Sequence, residues 1–410
     1  MARMDGNWAP ARVRRNFRID TFSAICGGVY IAVLVTFMPI VVRRLGGSTT
    51  DVAIVIAAPF VGHLLSPIST YLLMGFPQVR VVAGTVTLAR ATFLAGVLIA
   101  ATPLMLAVTT VVTFIISVAN ISAYTALMHG IYPDRERASA MANVRIGGAV
   151  AGIAAAAVAG TFIDVIPAAW VFAAAALVGL PGAAAFFWVR YDGSAKVATR
   201  RSLAVIARDV WADHKYRRLL LSFTVFGMGN LMNVAVYPIV LVDHFNASNS
   251  FIGAMTAVSS ATMIVAYLIW GRMIDRGSSV RLTLLNTVVT LLIPIGYIAA
   301  ADVWLLIPVA IVGGIVNAGG EITFFTNIVQ IAPRDKIGEY ATAQSLLMGI
   351  RGTAAPFVAA ALLGVADPRV VLLIGVVFMT AGCAIMAGAV RLIAPTGVTR
   401  PRAAIESPAD

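Results

Sequence analysis

Long apolar runs follow one another along almost the whole chain, and they restrict the fold more than any other feature. A membrane-spanning helix needs about 20 consecutive apolar residues. Of the 410 residues, 60% are hydrophobic and 12% are charged, which leaves too little polar surface for a water-soluble globule. The chain is therefore predicted to be a multi-pass membrane protein.

Twelve segments are long enough to span a bilayer, and because lipid offers the backbone no hydrogen-bond partners, each is predicted to be an α-helix. We place them at residues 19–42, 51–74, 79–101, 104–131, 137–161, 166–190, 218–242, 249–270, 281–300, 303–331, 337–364 and 368–391. The predicted fold class is an all-α membrane protein.

The second half of the chain repeats features of the first at an offset of about 200 residues. Gly27 returns as Gly227 and Pro133 as Pro333. Such a repeat predicts two pseudo-symmetric six-helix halves, the usual scaffold of a secondary transporter, because similar halves can rock about a site at their interface. We expect an N-terminal half at 1–190, a cytoplasmic central loop at 191–217, a C-terminal half at 218–394 and a disordered cytoplasmic tail at 395–410.

The basic residues fall mainly on one side of the membrane. When alternate connections are assigned to opposite sides, 24 of the 30 Lys and Arg residues lie on the side that holds both termini, three lie on the other side and three lie within spans. Basic residues favour the cytoplasmic side. This asymmetry predicts a protein of the cell inner membrane with both termini in the cytoplasm, and it accounts for the net charge of +12 without nucleic acid.

Signatures of enzymes and metal sites are missing from the sequence. None of the three lysines belongs to a phosphate-binding G-K-[ST] loop, and none of the four histidines begins an H-E-x-x-H motif. Cys26 and Cys383 are too far apart for a zinc cluster. We expect no enzymatic activity, no cofactor and no metal.

One loop is similar to a known family signature. Gly271 to Gly277 reads G-R-M-I-D-R-G and is followed by Arg281. This pattern, between predicted spans eight and nine, resembles the cytoplasmic loop motif of the major facilitator superfamily. The first-half loop that begins at Gly75 lacks the Asp-Arg pair. The resemblance implies a twelve-helix transporter working by alternating access, and a gating role for Gly271, Asp275 and Arg276; simple anchoring by positive charge is the alternative.

Sorting the 18 acidic residues by side places Asp20 at the inner boundary of the first span and leaves Glu321 as the one acid deep within a span. Glu321 lies 12 residues before Pro333, roughly 18 Å along a helix, and shares a helix face with Asn317 and Phe324. In the family this span lines the cavity. The resemblance therefore implies proton coupling or substrate contact at Glu321; a structural carboxyl is the alternative.

Three basic side chains within spans are also candidates. Arg145 and Arg351 lie early in spans that border the cavity in the family, so each is a candidate for binding an anion or pairing with Glu321; snorkelling to the inner surface is the alternative. His63 lies near the midplane and is a candidate proton relay or a packing residue.

Further polar residues share helix faces within spans and are candidate cavity residues, although polar groups also hold helices together. They are Tyr30, Asn120, Tyr124, Asn230, Asn233 and Tyr237.

These patterns predict a monomeric, proton-coupled secondary transporter of a small organic solute. Three arginines against one glutamate within the spans favour an anion or zwitterion as substrate. Two alternatives stay open: a multidrug/proton antiporter for amphipathic compounds, and a non-transporting binding or sensor protein that kept the fold. The expected partners are the substrate, protons and the lipid bilayer.

Overall fold

The computed structural model describes residues 11–73, 75–119, 121–133, 136–191, 203–333 and 336–393. These ranges contain helices and connections and no β-strand. The α-helices are α1 (Ala11–Arg44), α2 (Thr49–Leu72), α3 (Gln78–Ile99), α4 (Pro103–Val118), α5 (Ile121–Ile131), α6 (Arg137–Ile163), α7 (Ala168–Ala185), α8 (Leu203–Ala212), α9 (His214–Ile239), α10 (Asn249–Arg276), α11 (Ser279–Thr290), α12 (Leu292–Ala299), α13 (Leu306–Ile331), α14 (Ile337–Leu363) and α15 (Pro368–Ile393).

These helices form twelve membrane spans. Ten helical segments are long and apolar enough to cross a membrane by length and composition, among them the combined α11 and α12. The other two spans are α2 and the consecutive helices α4 and α5, whose apolar stretches are shorter. The prediction of an all-α, twelve-helix membrane protein is confirmed, whereas the predicted tail at 395–410 lies outside the described residues.

Equivalent helices in the two halves begin 200 residues apart. The pairs of first residues are Thr49 and Asn249, Arg137 and Ile337, and Ala168 and Pro368. The two halves therefore follow one plan of helices and connections. We call the side of the bundle that holds Ala11 and Ile393 the near side, and the opposite side the far side.

Polar residues mark several helix starts, because the first backbone N–H groups of a helix need acceptors outside it. The Thr102 side chain accepts a hydrogen bond from the Met105 amide at the start of α4, where Pro103 occupies the first turn. Asp213 accepts from two amides at the start of α9. Short polar connections thus end one span and begin the next.

Glycine lets neighbouring spans approach closely. A Cβ added to Gly28 of α1 would overlap the carbonyl oxygen of Gly148 on α6. A Cβ on Gly253 of α10 would lie 2.6 Å from the carbonyl oxygen of Ala156, also on α6. In lipid, such close backbone contacts supply van der Waals energy that the hydrophobic effect does not. α6 is consequently held against both α1 and, across the two halves, α10.

The short helix α8 lies within the segment predicted as the central loop (191–217) and packs against the near end of the C-terminal half. Val210 is buried with Tyr216 and Tyr340 in one apolar cluster. The Tyr340 hydroxyl donates a 2.9 Å hydrogen bond to Asp213, directly after α8. α8 therefore contacts protein on its apolar face.

Candidate functional site

A cleft between the two halves opens towards the near side. On the far side, one apolar cluster joins the halves and includes Val52 of α2 together with Ala355 and Ala359 of α14, all fully or almost fully buried. Closer to the near side, Arg145 of α6 and Glu321 of α13 are exposed although they lie within membrane spans. The halves therefore meet at the far side and separate towards the near side.

Arg145 lies in this cleft between one tyrosine from each half. Tyr124 of α5 and Tyr267 of α10 are both close enough to interact electrostatically with its guanidinium. Among the described residues no carboxylate forms an ion pair with Arg145. A guanidinium that is exposed in a cleft and lacks a carboxylate partner can bind an anionic ligand.

Glu321 is connected to the same place through Tyr267. The Tyr267 hydroxyl donates a hydrogen bond to the Glu321 carboxylate. Asn317, one turn away on α13, is exposed, whereas Phe324 is partly buried against the apolar cluster around Tyr216. The structure thus brings Arg145, Tyr124 and Glu321 together, with Tyr267 as a link that sequence reasoning did not identify.

Asp20 is a second acid within the bundle, and sequence reasoning missed its position. It is only 2% exposed, and its carboxylate accepts hydrogen bonds from the hydroxyls of Tyr132 (2.8 Å) and Tyr124 (3.4 Å). The basic residues before it suggest the end of a span, but α1 begins at Ala11 and continues through them. The missed signal is helical spacing within the polar stretch, since the buried residues Asn16, Asp20 and Ser23 lie four and three apart.

These contacts form a polar chain that crosses the cleft, which we define as Asp20, Tyr124, Arg145, Tyr267 and Glu321. Each end is a carboxylate bonded to a tyrosine, and the central guanidinium faces both tyrosines. The N-terminal half supplies the first three residues and the C-terminal half the last two. Any change in the separation of the halves therefore changes this chain.

Arg351 and Tyr30 lie apart from the polar chain. Arg351 donates to the carbonyl oxygen of Phe223, and its guanidinium lies against Gly227 of α9. Tyr30 packs beneath the buried Arg90, whose guanidinium carbon lies 5.6 Å from the ring centroid. Both side chains thus contact neighbouring helices of their own half.

Two polar candidates on α9 face its neighbours in the same half. Asn233 lies against Gly375 and donates to the Met379 sulfur over 3.6 Å. Tyr237 stacks on Tyr297 of α12 with ring centroids 4.2 Å apart. Asn230, one turn before Asn233 on α9, is partly buried.

The remaining candidates have fewer described contacts. His63 is partly buried on α2, one residue before Leu64, which packs on Gly349 of α14. Asn120 lies outside the described residues. α10 ends at Arg276, and the side chains of Asp275 and Arg276 also lie outside the described part of the chain. A Cβ added to Gly271 would meet no atom within 4 Å.

On the far side, charged residues join the two halves in what we call the far-side network: Arg43, Arg44, Asp164 and Asp243. The Arg43 Nε donates to both oxygens of Asp243 at 3.0 and 2.9 Å. Arg44 donates to the carbonyl oxygen of Ala247 and lies 3.9 Å from Asp164. These contacts hold the ends of α1 and α6 against the connection between α9 and α10.

Asp164 also caps α10 from the opposite half. Its carboxylate accepts from the backbone amides of Asn249 (2.9 Å) and Ser250 (2.8 Å), and from both of their side chains. Although burial acts to raise the pKa of Asp164, the hydrogen bonds from Ser250 and Asn249 lower it below its ordinary value. The carboxylate is therefore stabilised in its charged form while the far side is closed.

Comparisons with known proteins agree with this architecture. The family model described as the Major Facilitator Superfamily matches residues 21–232 and again residues 219–409. No curated protein sequence matches the chain.

Two solved structures illustrate the similarity of the fold. A mutant of the nucleoside transporter NupG superposes with a TM-score of 0.74 at 13% identity, covering 92% of this chain and 99% of that one. A bacterial homologue of the human lysosomal transporter Spinster, in an inward-facing and unoccupied conformation, gives 0.69 at 12% identity, covering 94% and 98%.

Proposed function

Because the chain belongs to the major facilitator superfamily, and is thus a secondary transporter and not an enzyme, we propose that it carries a small organic solute with an anionic group. In this proposal the solute binds in the cleft and Arg145 contacts its carboxylate or phosphate. The halves then rock to expose the site alternately on the two sides.

The observation that carries this proposal is the environment of Arg145. An arginine within a membrane span normally pairs with another group or faces a water-filled cavity. Arg145 is exposed in the cleft beside one tyrosine from each half, and no carboxylate pairs with it among the described residues. A substrate anion would supply the missing charge. Tyr124 and Tyr267 flank the guanidinium from opposite halves, so that a solute bound to Arg145 would contact both halves.

Proton coupling is the second part of the proposal, and Glu321 is its residue. Glu321 is exposed within its span, as Arg145 is, and both groups interact with Tyr267. Loss of a proton from Glu321 would strengthen its attraction for Arg145 and weaken the hold of Arg145 on a substrate anion. Asp20, at the other end of the polar chain, is shielded from the cleft by Tyr124 and Tyr132.

For orientation, we propose that the near side is cytoplasmic, in the cell inner membrane, because the basic residues concentrate there. The described arrangement then faces inward, and the protein works as a monomer.

The test uses pairs of solutes that differ only in the anionic group. Because one of the similar structures is a nucleoside transporter, the first pair is uridine and uridine 5′-monophosphate. The second pair is glucose and gluconate. We expect the anionic member of at least one pair to raise the melting temperature of the purified protein and to be transported into liposomes. Arg145→Gln should weaken binding by about 10-fold or more, as loss of a charge-assisted hydrogen bond does, and Arg145→Lys should restore part of it.

Arg369→Gln is the control, because this exposed arginine lies on the far side away from the cleft. Equal binding of neutral and anionic members, or equal losses in Arg145→Gln and Arg369→Gln, would contradict the anionic site. Stabilisation by lipophilic cations that depends on Glu321 would indicate drug efflux instead. Absence of flux for every solute that binds would indicate a sensor.

Proton coupling is tested separately with Glu321→Gln. This variant should bind the solute with little dependence on pH and should lose uptake driven by a pH gradient while retaining exchange. An unchanged pH-gradient response would remove Glu321 from the coupling mechanism without affecting the assignment of Arg145.

A further inference from the structure

A basic cavity lies at the near end of α1, outside the cleft. It has a volume of about 490 Å³ and is lined by Ala11, Arg14, Arg15, Arg18, Ile19 and Trp188. Five of these residues are spaced by three and four along α1, so they form one stripe of that helix. Trp188, from the short turn of helix after α7, supplies the opposite wall.

The length of α1 places this cavity at the boundary between lipid and water. α1 has 34 residues, and the 25 residues from Arg18 to Arg43 extend over roughly 38 Å. The hydrocarbon core is only about 30 Å thick. With Arg43 at one boundary, Arg18 and the preceding turn therefore lie among the lipid headgroups of the other.

The two walls of the cavity are fixed to each other. The Asn16 side chain is fully buried and makes two 3.0 Å hydrogen bonds to Arg190, one to its carbonyl oxygen and one from its amide. This reciprocal pair ties the first turns of α1 to the chain just after Trp188. The distance between the arginines and the indole is consequently set by the fold.

The other half uses the equivalent residues differently. Lys215 and Arg218 lie 200 residues after Arg15 and Arg18, but Gly388 takes the place of Trp188. The guanidinium of Arg218 lies across this glycine, with its Nη2 atom 2.7 Å from where a Cβ would be. In the first half Arg18 and Trp188 instead line the cavity together. Neither Arg15 nor Arg18 has a carboxylate partner among the described residues.

We propose that this cavity binds the phosphate headgroup of an anionic phospholipid. Guanidinium groups bind phosphate oxygens through paired, charge-assisted hydrogen bonds. Tryptophan favours the membrane interface, where its ring contacts the upper acyl chain, and Ile19 adds apolar surface beside it. Basic pockets between spans at the membrane surface select anionic lipids in this way.

The experiment measures quenching of tryptophan fluorescence by lipids with dibrominated acyl chains. The purified full-length protein is titrated with brominated phosphatidylglycerol or brominated phosphatidylcholine. The part of the quenching that is lost in Trp188→Phe reports on the cavity. We expect this part to saturate at a lower mole fraction of phosphatidylglycerol than of phosphatidylcholine.

The double variant Arg15→Gln/Arg18→Gln should require about 30-fold more phosphatidylglycerol for half-maximal quenching of Trp188. Each arginine near a membrane surface contributes about fivefold to the affinity for anionic lipid. The matched control is Arg80→Gln/Arg281→Gln, which removes two exposed charges from the same side of the bundle. Equal losses in both double variants, or equal quenching by the two lipids in the parent, would overturn the proposal. If inorganic phosphate at matched ionic strength displaces the brominated phosphatidylglycerol and removes the quenching of Trp188, the cavity is a site for a free anion instead of a lipid.

Discussion

At the scale of single residues, the effect of a buried polar group on stability depends on whether that group has a hydrogen-bond partner. Asp20 and Tyr30 are both buried in α1. Asp20 accepts hydrogen bonds from two tyrosines, whereas the Tyr30 hydroxyl has no partner among the described residues. A buried polar group without a partner costs free energy that a bonded one does not.

This contrast predicts opposite results for two tyrosine variants. Tyr132→Phe removes the closer donor to Asp20 and should destabilise the protein by about 1–3 kcal/mol, because a buried acceptor loses its bond. Tyr30→Phe removes an unbonded hydroxyl and should leave stability unchanged or slightly higher. Thermal unfolding of both variants in one detergent checks this. Equal shifts in melting temperature would mean that the bond to Asp20 contributes nothing.

At the scale of helices, the contact between α1 and α6 determines where Arg145 lies. Gly28 and Gly148 allow the two backbones to touch, and Arg145 is one turn before Gly148 on α6. Any side chain at the crossing would push α6 outward and move the centre of the polar chain.

We therefore expect Gly28→Ala to lower the melting temperature and to weaken solute binding, because the new methyl group overlaps the Gly148 carbonyl oxygen. Gly84→Ala on α3 is the control, since an added Cβ there meets no atom within 4 Å; alanine at that position should be neutral or stabilising by up to about 1 kcal/mol. Comparable losses in the two variants would show that backbone preference, and not the crossing, decides the effect.

At the scale of the whole molecule, the far-side network stabilises one arrangement of the halves. Arg43 and Asp243 occupy equivalent positions, 200 residues apart, yet carry opposite charges. A repeat with identical charges there would repel across the interface. Divergence between the two copies has thus produced an attraction that closes the far side.

Arg43→Gln should shift the population towards a state open on the far side by about 1 kcal/mol or more, since a bidentate ion pair is lost. Spin labels on Val165→Cys and Val365→Cys, which are exposed far-side positions in opposite halves, report the separation; Cys26 and Cys383 are buried. The longer distance should gain population in Arg43→Gln and not in Arg369→Gln. Restoration of the short distance by the exchange Arg43→Asp/Asp243→Arg would establish the pair, and failure of that exchange would argue against it.

The far-side network should not respond to pH in the physiological range. Closure lowers the pKa of Asp164 below its ordinary value of 3.8. A lowered carboxyl pKa stabilises the closed state fully above 3.8, and this contribution is lost only as pH falls below 3.8 through the closed-state pKa. The same spin-label distances should therefore be constant between pH 5 and 8 in the Glu321→Gln variant. A change with pH in that variant would place a further titrating group in the gate.

The sequence by itself determined the membrane class, the twelve spans, the two-fold repeat and the family, because apolar length and local loop motifs are properties of consecutive residues. It also identified Glu321 and Arg145 as unusual within spans. Only the tertiary structure decided their neighbours. Tyr267 and Asp20 joined the polar chain through packing between α10 and α13 and between α1 and α5, and spacing along one helix carries no information about such contacts.

The ends of α1 illustrate the same division. Composition predicted that α1 starts after its N-terminal basic residues, since charged residues normally mark the end of a span. The helix in fact includes these residues, because hydrogen bonding along a helix backbone does not depend on lipid. Arg43 and Asp243 looked like unrelated loop charges until the fold brought them together. Local sequence decides which segments cross the membrane, whereas contacts between segments distant in the chain decide which polar side chains meet.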